Sequence, residues 1–432
     1  MNVRDSEAMA ALLLRHGYAM ADSEDEADVI LLNTCSIRDL AEQKALGKMS
    51  ALVTEKRSKP TLRLGFVGCL AQCRGAELLQ RVPGVDLVVG TQRFHHLPEY
   101  LDRLFAGEGG IVDVAEEPGS ESAVRDHLAE GAVTAFVSIM QGCDMRCSFC
   151  IVPQTRGAER SRSIGEIVEE VRELAEHGVR EVTLLGQIVT SYGRGLIPKK
   201  NGRSPFVQLL EALHEVRGLE RIRFTSPHPK GFGDDLVAAF RDLPKLCEHA
   251  HLPAQSGSDR ILKAMRRGYD RAMFLRIVER LRAAQPKMVF SSDIIVGFPG
   301  ETDEDFEQTV SLMREVPFEQ AYIFKYSKRR NTPAAELPGQ VPTATKEERN
   351  QRLLAILNEI ATRKNRELIG QTVEILVEGR SPKNAARMFG RTRTNKGVVF
   401  EGDLRHKGAL LPVRVQRATA LTLYGILTDE KR

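Results

Sequence analysis

The sequence predicts an α/β protein in three parts: an N-terminal doubly wound parallel sheet, a central partial barrel of about six βα units, and a small C-terminal β-barrel. Apolar runs alternate with helical spacing up to about residue 105, and again from Val133 to about Lys364. Beyond residue 366 the pattern changes to short β-branched runs, "VEILV", "GVVF" and "LLPVRVQ", with Gly and Asn turn signals between them. A chain of 432 residues with 42% hydrophobic side chains can bury several cores, so two or three domains are expected.

In the first part "DVILLNT" precedes the helical "IRDLAEQKALGKMSALV", "LRLGFVG" precedes "LAQCRGAELLQRV", and "VDLVVGT" follows as a further strand. Residues 107–132 are rich in glycine and acid and read as a linker. The central strands are expected at "AFVSIM", "EVTLLG", "RIRFT", "HAHLPA", "VFSSDIIVG" and "QAYIFKY". Ser163 followed by Glu166 is a capping box, and Ile167, Val168, Val171, Leu174 and Ala175 then keep helical spacing until Gly178. Six units are too few to close an eight-stranded barrel, so the barrel stays open, and its ligands gather at the carboxyl ends of the strands. The expected boundaries are 1–106, 107–132, 133–366 and 367–432.

The opening residues "MNVRDSEAMAALLLRHGYAM" carry early charges and no long apolar run, so neither a secretory leader nor a membrane span is expected, and the cytoplasm is the expected compartment. There the seven cysteines should be reduced. Net charge is +4, but residues 371–432 hold twelve Lys/Arg against six Asp/Glu, which leaves the rest of the chain at −2. A basic module at the end of a nearly neutral chain points to a phosphate backbone, with RNA binding favoured over mere solubility.

"QGCDMRCSFC" places Cys143, Cys147 and Cys150 at C-x3-C-x2-C with no fourth ligand close by. Structural zinc wants four protein ligands, so this spacing argues for a site with one open position, although a zinc loop borrowing a distant ligand remains the alternative. Three cysteines on an iron-sulfur cluster leave one iron free. The stretch, with Phe149 before the last cysteine, resembles the signature of the radical S-adenosylmethionine (SAM) enzymes, in which the open iron holds SAM. "DIIVGFPGET", with Gly297, Pro299 and Gly300, resembles that family's adenine-contacting turn, and Gly186 and Gln187 of "LLGQ" stand where it usually binds the SAM amino group. Cys35 and Cys69 each follow an N-terminal strand and suggest a second cluster; Cys247 reads as a buried thiol.

"NTCSIRDLAEQKALGK", "GCLAQ", "GCDMRCSFCIVPQTRGAERSRS", "LLGQIVTSYG", "HLPAQSGSDRILKAMRRGY", "GFPGET" and "GRTRTN" together resemble the methylthiotransferases, in the branch that modifies N6-isopentenyladenosine of tRNA. The resemblance implies a radical SAM domain between an auxiliary-cluster domain and an RNA-binding TRAM barrel. It implies two four-iron clusters, the first on Cys143, Cys147 and Cys150 and the second on Cys35 and Cys69. It also implies SAM as methyl donor and radical source, with a tRNA anticodon loop, an electron-donor reductase and a sulfur donor as partners. No membrane partner is expected, and a monomer is. Methylthiolation of threonylcarbamoyladenosine or of a ribosomal protein, and a non-catalytic iron-sulfur RNA-binding protein, are the competing readings.

The chain departs from that family's pattern in several places. The auxiliary cluster of the family takes a third cysteine, ahead of "QMN" and "DSE" on a first strand, whereas this chain opens "MNVRDSE". A truncated first strand is therefore expected, with a start upstream of Met1 favoured over true loss. Cys73 is the alternative third thiolate if the helix begins at Leu70. Ile188, Thr190, Gln154 and Ala158 also differ from the family's usual residues, and Arg156, Arg160 and Arg162 are candidates for SAM or phosphate contacts or for a solvated strand edge.

Overall fold

The computed structural model describes residues 1–34, 39–120, 122 and 131–428. The chain divides into two compact units: Met1–Leu128 with Ser138–Arg146 and Cys150–Arg162, and Ala129–Val137 with Cys147–Phe149 and Ser163–Arg432. Among the described residues no helix is long and apolar enough to cross a membrane.

In the first unit β1 (Val29–Asn33), β2 (Arg63–Val67), β3 (Leu87–Val89) and β4 (Ile111–Asp113) form a parallel sheet in that order. Alternate residues face opposite sides. Leu64 and Phe66 join Met49, Leu52, Leu70 and Leu78 in one core, while Val67 and Leu87 join Met9, Leu97, Tyr100 and Leu101 in another. Helices thus cover both faces, as the doubly wound reading requires.

The segment 107–132 is not merely a linker, because it supplies β4. "IVD" is a run of three residues between Gly110 and an acidic stretch, too short for its period to register, yet Ile111 is buried in the second core. Asp113 accepts hydrogen bonds from Tyr100 and from Arg93 Nε (2.8 Å). Glu117 pairs with Arg93 and lies 3.1 Å from His95 and 3.4 Å from His96. Ligand atoms of His95, His96 and Glu117 come within 4.8 Å of one another, but Arg93 already holds that carboxylate and its charge opposes a second cation there. The group is an ion-pair network that fastens the segment to the sheet.

The first strand after these, β5 (Thr134–Ser138), lies in the second unit up to Val137, and the short pair β6 (Met140–Gln141) and β7 (Arg160–Ser161) belongs to the first. Five more strands follow: β8 (Glu181–Leu185), β9 (Arg221–Phe224), β10 (His249–His251), β11 (Val289–Val296) and β12 (Gln320–Lys325). They run in the orders β5-β8-β9 and β10-β11-β12, with a parallel bridge from Ile222 to Leu246 between the two. Pairs β8–β9, β10–β11 and β11–β12 are parallel. All six expected strands are present, and so is the capping box: Ser163 accepts from the Glu166 amide and the Glu166 carboxylate accepts in return.

The last strands, β13 (Thr372–Ser381), β14 (Asn384–Thr392), β15 (Gly397–Phe400), β16 (Leu410–Ala418) and β17 (Thr422–Leu427), close a barrel in the order β13-β14-β15-β17-β16. Ile375, Val377, Met388, Val398, Phe400, Val413 and Leu423 fill it. The β14–β15 turn is clamped to the strands of the central sheet. Arg223 gives Nε to Glu181 (2.9 Å), one terminal nitrogen to the Arg393 carbonyl (2.8 Å) and the other to the Thr392 carbonyl (2.7 Å). Arg221 donates to the Arg391 carbonyl (2.8 Å) and Glu374 (3.0 Å), and Arg393 pairs with Glu248 (2.8 Å). Arg393 of the "GRTRTN" run therefore serves an internal contact. Burial and the Arg223 charge push His249, on the adjoining strand, down to about 3, so it adds no further cation.

Replacing Arg223 with Met leaves the Glu181 carboxylate without its close partner and two carbonyls without donors. The expected loss is about 3–5 kcal/mol of unfolding free energy in urea, with the turn 391–396 opened to trypsin. An unchanged midpoint and an uncut turn would contradict the clamp.

Candidate functional site

Two of the three loop cysteines belong to the first unit and one to the second. In the first, Cys143 is buried and its amide donates to the Gly157 carbonyl (3.1 Å). Gly142 has φ 74°, and a Cβ there would fall 1.8 Å from the Ala158 carbonyl oxygen, so only glycine permits this approach. Cys150 is half-buried. In the second unit the strip Cys147–Phe149 is fixed by Ser148, whose amide donates to the Met265 carbonyl (3.1 Å), whose hydroxyl donates to the Ala264 carbonyl (2.8 Å), and whose carbonyl accepts from the Ala334 amide (2.8 Å). Phe149 packs against Ile261, Met265, Phe298, Tyr326 and Ala334. Cys147 is buried, and its sulfur accepts a hydrogen bond from Arg267 at 3.3 Å. Thiols with a guanidinium donor on one sulfur are the donor chemistry of an iron-sulfur cluster.

At the carboxyl ends of the central strands lie the other expected residues. Gly186 and Gln187 follow β8; Gly186 is buried, and Gln187 Oε1 is buried with no hydrogen-bond partner among the described residues. Such an acceptor fits the ammonium group of an amino-acid ligand. After β11, Gly297 takes φ 69°, and a Cβ there would fall 2.3 Å from Lys346 Cγ. Glu301 closes this turn, accepting from the Gly297 amide (2.6 Å) and from Arg349 (2.7 Å) of the helix Thr343–Arg366. The Gly300 amide donates to the Gly339 carbonyl (2.8 Å), Phe298 is fully buried against Tyr326, and Pro299 between them is buried as well. The turn is thus held rigid on both sides.

Sequence reasoning passed over Gln255, Ser226, Glu301 and Arg267. Ser226 (φ 56°) and Gln255 (φ 65°) take left-handed backbone just past β9 and β10, and Gln255 Oε1 is also buried without a partner among the described residues. Strained non-glycine residues at strand ends mark functional rims. Gln255 stands inside "HLPAQSGS", so the signal was present as a buried amide next to small residues. Thr190, one of the departures, accepts from the His228 amide (3.0 Å) and thereby ties the loops after β8 and β9 together.

In the first unit, Asn33 at the end of β1 is the register partner of Val67 at the end of β2, and the Thr34 amide donates to the Val67 carbonyl (3.2 Å). Cys35 lies outside the described residues. Cys69 is buried and opens the helix Cys69–Arg74, which places Cys73 one turn further along it. Arg156 is fully buried, donates to Asp5 and lies beside the Cys69 thiol; Arg162 is buried too and donates to the Ser138 carbonyl (2.8 Å). Neither is a solvated edge. Cys247 is the inert thiol expected, with burial pushing it up to about 11.

Family models match three stretches: the radical SAM superfamily at residues 137–313, the TRAM domain at 366–428, and the uncharacterized protein family UPF0004 at 1–90. Among solved structures, TsrM from Kitasatospora setae, a radical S-adenosylmethionine methyltransferase, aligns with a TM-score of 0.58 at 15% identity, over 77% of this chain and 72% of that one. That likeness is one of fold. A tRNA-2-methylthio-N(6)-dimethylallyladenosine synthase of Methylacidiphilum infernorum is 54% identical, covering 98% of this chain and 92% of the relative. The synthase of Opitutus terrae is 53% identical, covering 99% and 95%. At such identity over nearly its full length, the chain belongs to the tRNA-2-methylthio-N6-dimethylallyladenosine synthases, a family of radical SAM methylthiotransferases.

Proposed function

We propose that the chain converts N6-dimethylallyladenosine beside the tRNA anticodon to its 2-methylthio derivative. The observation that carries this reading is the full-length identity to synthases of that name, joined to a three-cysteine loop that follows the first strand of the central sheet. A four-iron cluster on Cys143, Cys147 and Cys150, with SAM on its open iron, would supply the radical that attacks an unactivated C–H bond, and a second cluster on Cys35 and Cys69 would hold the sulfur to be methylated.

The protein's own residues do the placing. Ser148 pins the middle of the cysteine loop through three hydrogen bonds. Gln187 offers its free carbonyl oxygen to the SAM ammonium group, and the turn Gly297–Gly300, braced by Glu301 and Arg349, offers backbone to the adenine. Cys73 stands one helical turn from Cys69 and is the alternative third thiolate of the auxiliary site. An anticodon loop is already single-stranded, so drawing one base out of its stack costs little. Lys383, Lys407, Arg414 and Arg417 are exposed on the C-terminal barrel and suit its phosphates, whereas Arg393 is engaged internally. A reductase and a sulfur donor in the cytoplasm complete the requirements, and a monomer suffices.

The test is anaerobic incubation of the reconstituted chain with SAM, dithionite and anticodon hairpins carrying dimethylallyl- or threonylcarbamoyladenosine. Mass spectrometry should find the methylthio product on the first hairpin; turnover on the second alone contradicts the reading. Cys147→Ala should abolish 5′-deoxyadenosine release, while Cys69→Ala should keep it and give no methylthio product. Methylthio product from Cys69→Ala would remove that residue from the auxiliary site. Gln187→Ala forfeits a hydrogen bond to a charged group and should raise the Kd for SAM about tenfold in equilibrium binding. Unaltered affinity would show that Gln187 does not touch SAM.

A further inference from the structure

Arg267 is 7% exposed and Cys147 is 8% exposed, and the guanidinium donates to the sulfur at 3.3 Å. The backbone is shaped for this contact. The helix Asp259–Ala264 ends at Met265, Arg266 takes φ 58°, and the chain turns back so that the Arg267 amide donates to the Leu262 carbonyl (3.0 Å). Among the described residues no carboxylate pairs with this guanidinium. Its Nε meets the Tyr269 hydroxyl at 3.4 Å; that hydroxyl donates to the carbonyls of Pro253 and Ala254, and burial raises its pKa. Burial and the Arg267 charge hold His228, the adjoining imidazole, down to about 3. Arg156 beside Cys69 differs, because the Asp5 carboxylate neutralises it.

We infer that Arg267 is a positioning residue that poises the radical cluster for reduction by holding an uncompensated positive charge against Cys147. The inference rests on reading Cys143, Cys147 and Cys150 as the cluster's ligands. The step involved is a one-electron reduction by an external reductant, with no bond made or broken. Added negative charge spreads onto the ligand sulfurs, and a buried cationic donor stabilises the reduced state more than the oxidised one. The potential therefore rises with Arg267 present.

The experiment is a dithionite titration of the full reconstituted chain, read by electron paramagnetic resonance on the signal that SAM perturbs. In Arg267→Gln the ratio of reduced to oxidised cluster at a fixed potential should fall about tenfold, a midpoint lowered by about 59 mV. Arg267→Lys keeps the charge without the fork and should fall between the two. Tyr269→Phe, which keeps the ring, should titrate with the unaltered chain. Should Arg267→Gln hold no iron, Arg267→Lys decides: a lowered midpoint supports the inference and an unchanged one overturns it. A wild-type midpoint in Arg267→Gln overturns it, as does an equal shift in Tyr269→Phe, which would make the effect one of packing. The titration needs no RNA, so failure of the tRNA reading would leave it standing.

Discussion

Because the described pairs among β8–β12 are parallel, those strands deliver their carboxyl ends to one rim, and the expected SAM-facing residues Gly186, Gln187, Gly297, Pro299 and Gly300 follow from that constraint. Parallel strands cannot be joined by tight turns, so each is followed by a loop and a crossover helix. The loops are free to carry chemistry because the helices carry the packing. Gln187, Ser226, Gln255 and Gly297 each lie within a few residues of a strand's last paired position, and two of them hold left-handed backbone without being glycine. The rim gathers polar atoms that the fold itself leaves unsatisfied.

Buried cations act as fasteners throughout. Arg223 joins the central sheet to the C-terminal barrel, Arg349 braces the turn at Gly297, Arg156 pairs with Asp5, and Arg162 holds the Ser138 carbonyl. Arg223, Arg349 and Arg156 each meet a carboxylate, which is what makes burial of the charge tolerable. The basic excess of the last sixty-odd residues therefore divides into two roles. Arg391 and Arg393 are bound to Glu378 and Glu248, while Lys383, Lys407, Arg414 and Arg417 remain at the surface.

The sequence made legible what local pattern controls. Six central strands, the Ser163–Glu166 cap, the small barrel and the three-cysteine loop all follow from spacing within a few residues. What it concealed depends on contacts made at long range. β4 is only three residues long and becomes a strand because β3 offers its free edge. Arg267 reads as one arginine in a basic helix end until the turn at Arg266 brings it to a sulfur 120 residues away in sequence. Glu301 reads as the acid of a turn, and its brace, Arg349, comes from a helix of another segment. The sequence left Arg156 and Arg162 open between SAM or phosphate contacts and a solvated edge, and the fold buries both.

The central claim is that three thiolates hold a cluster with one coordination position left for SAM. The most direct measurement is the electron paramagnetic resonance spectrum of the reduced, anaerobically reconstituted chain before and after SAM is added, with iron and zinc assayed on the same sample. The account predicts an iron-sulfur signal whose shape changes when SAM binds. A signal indifferent to SAM, or zinc in place of iron, would contradict it.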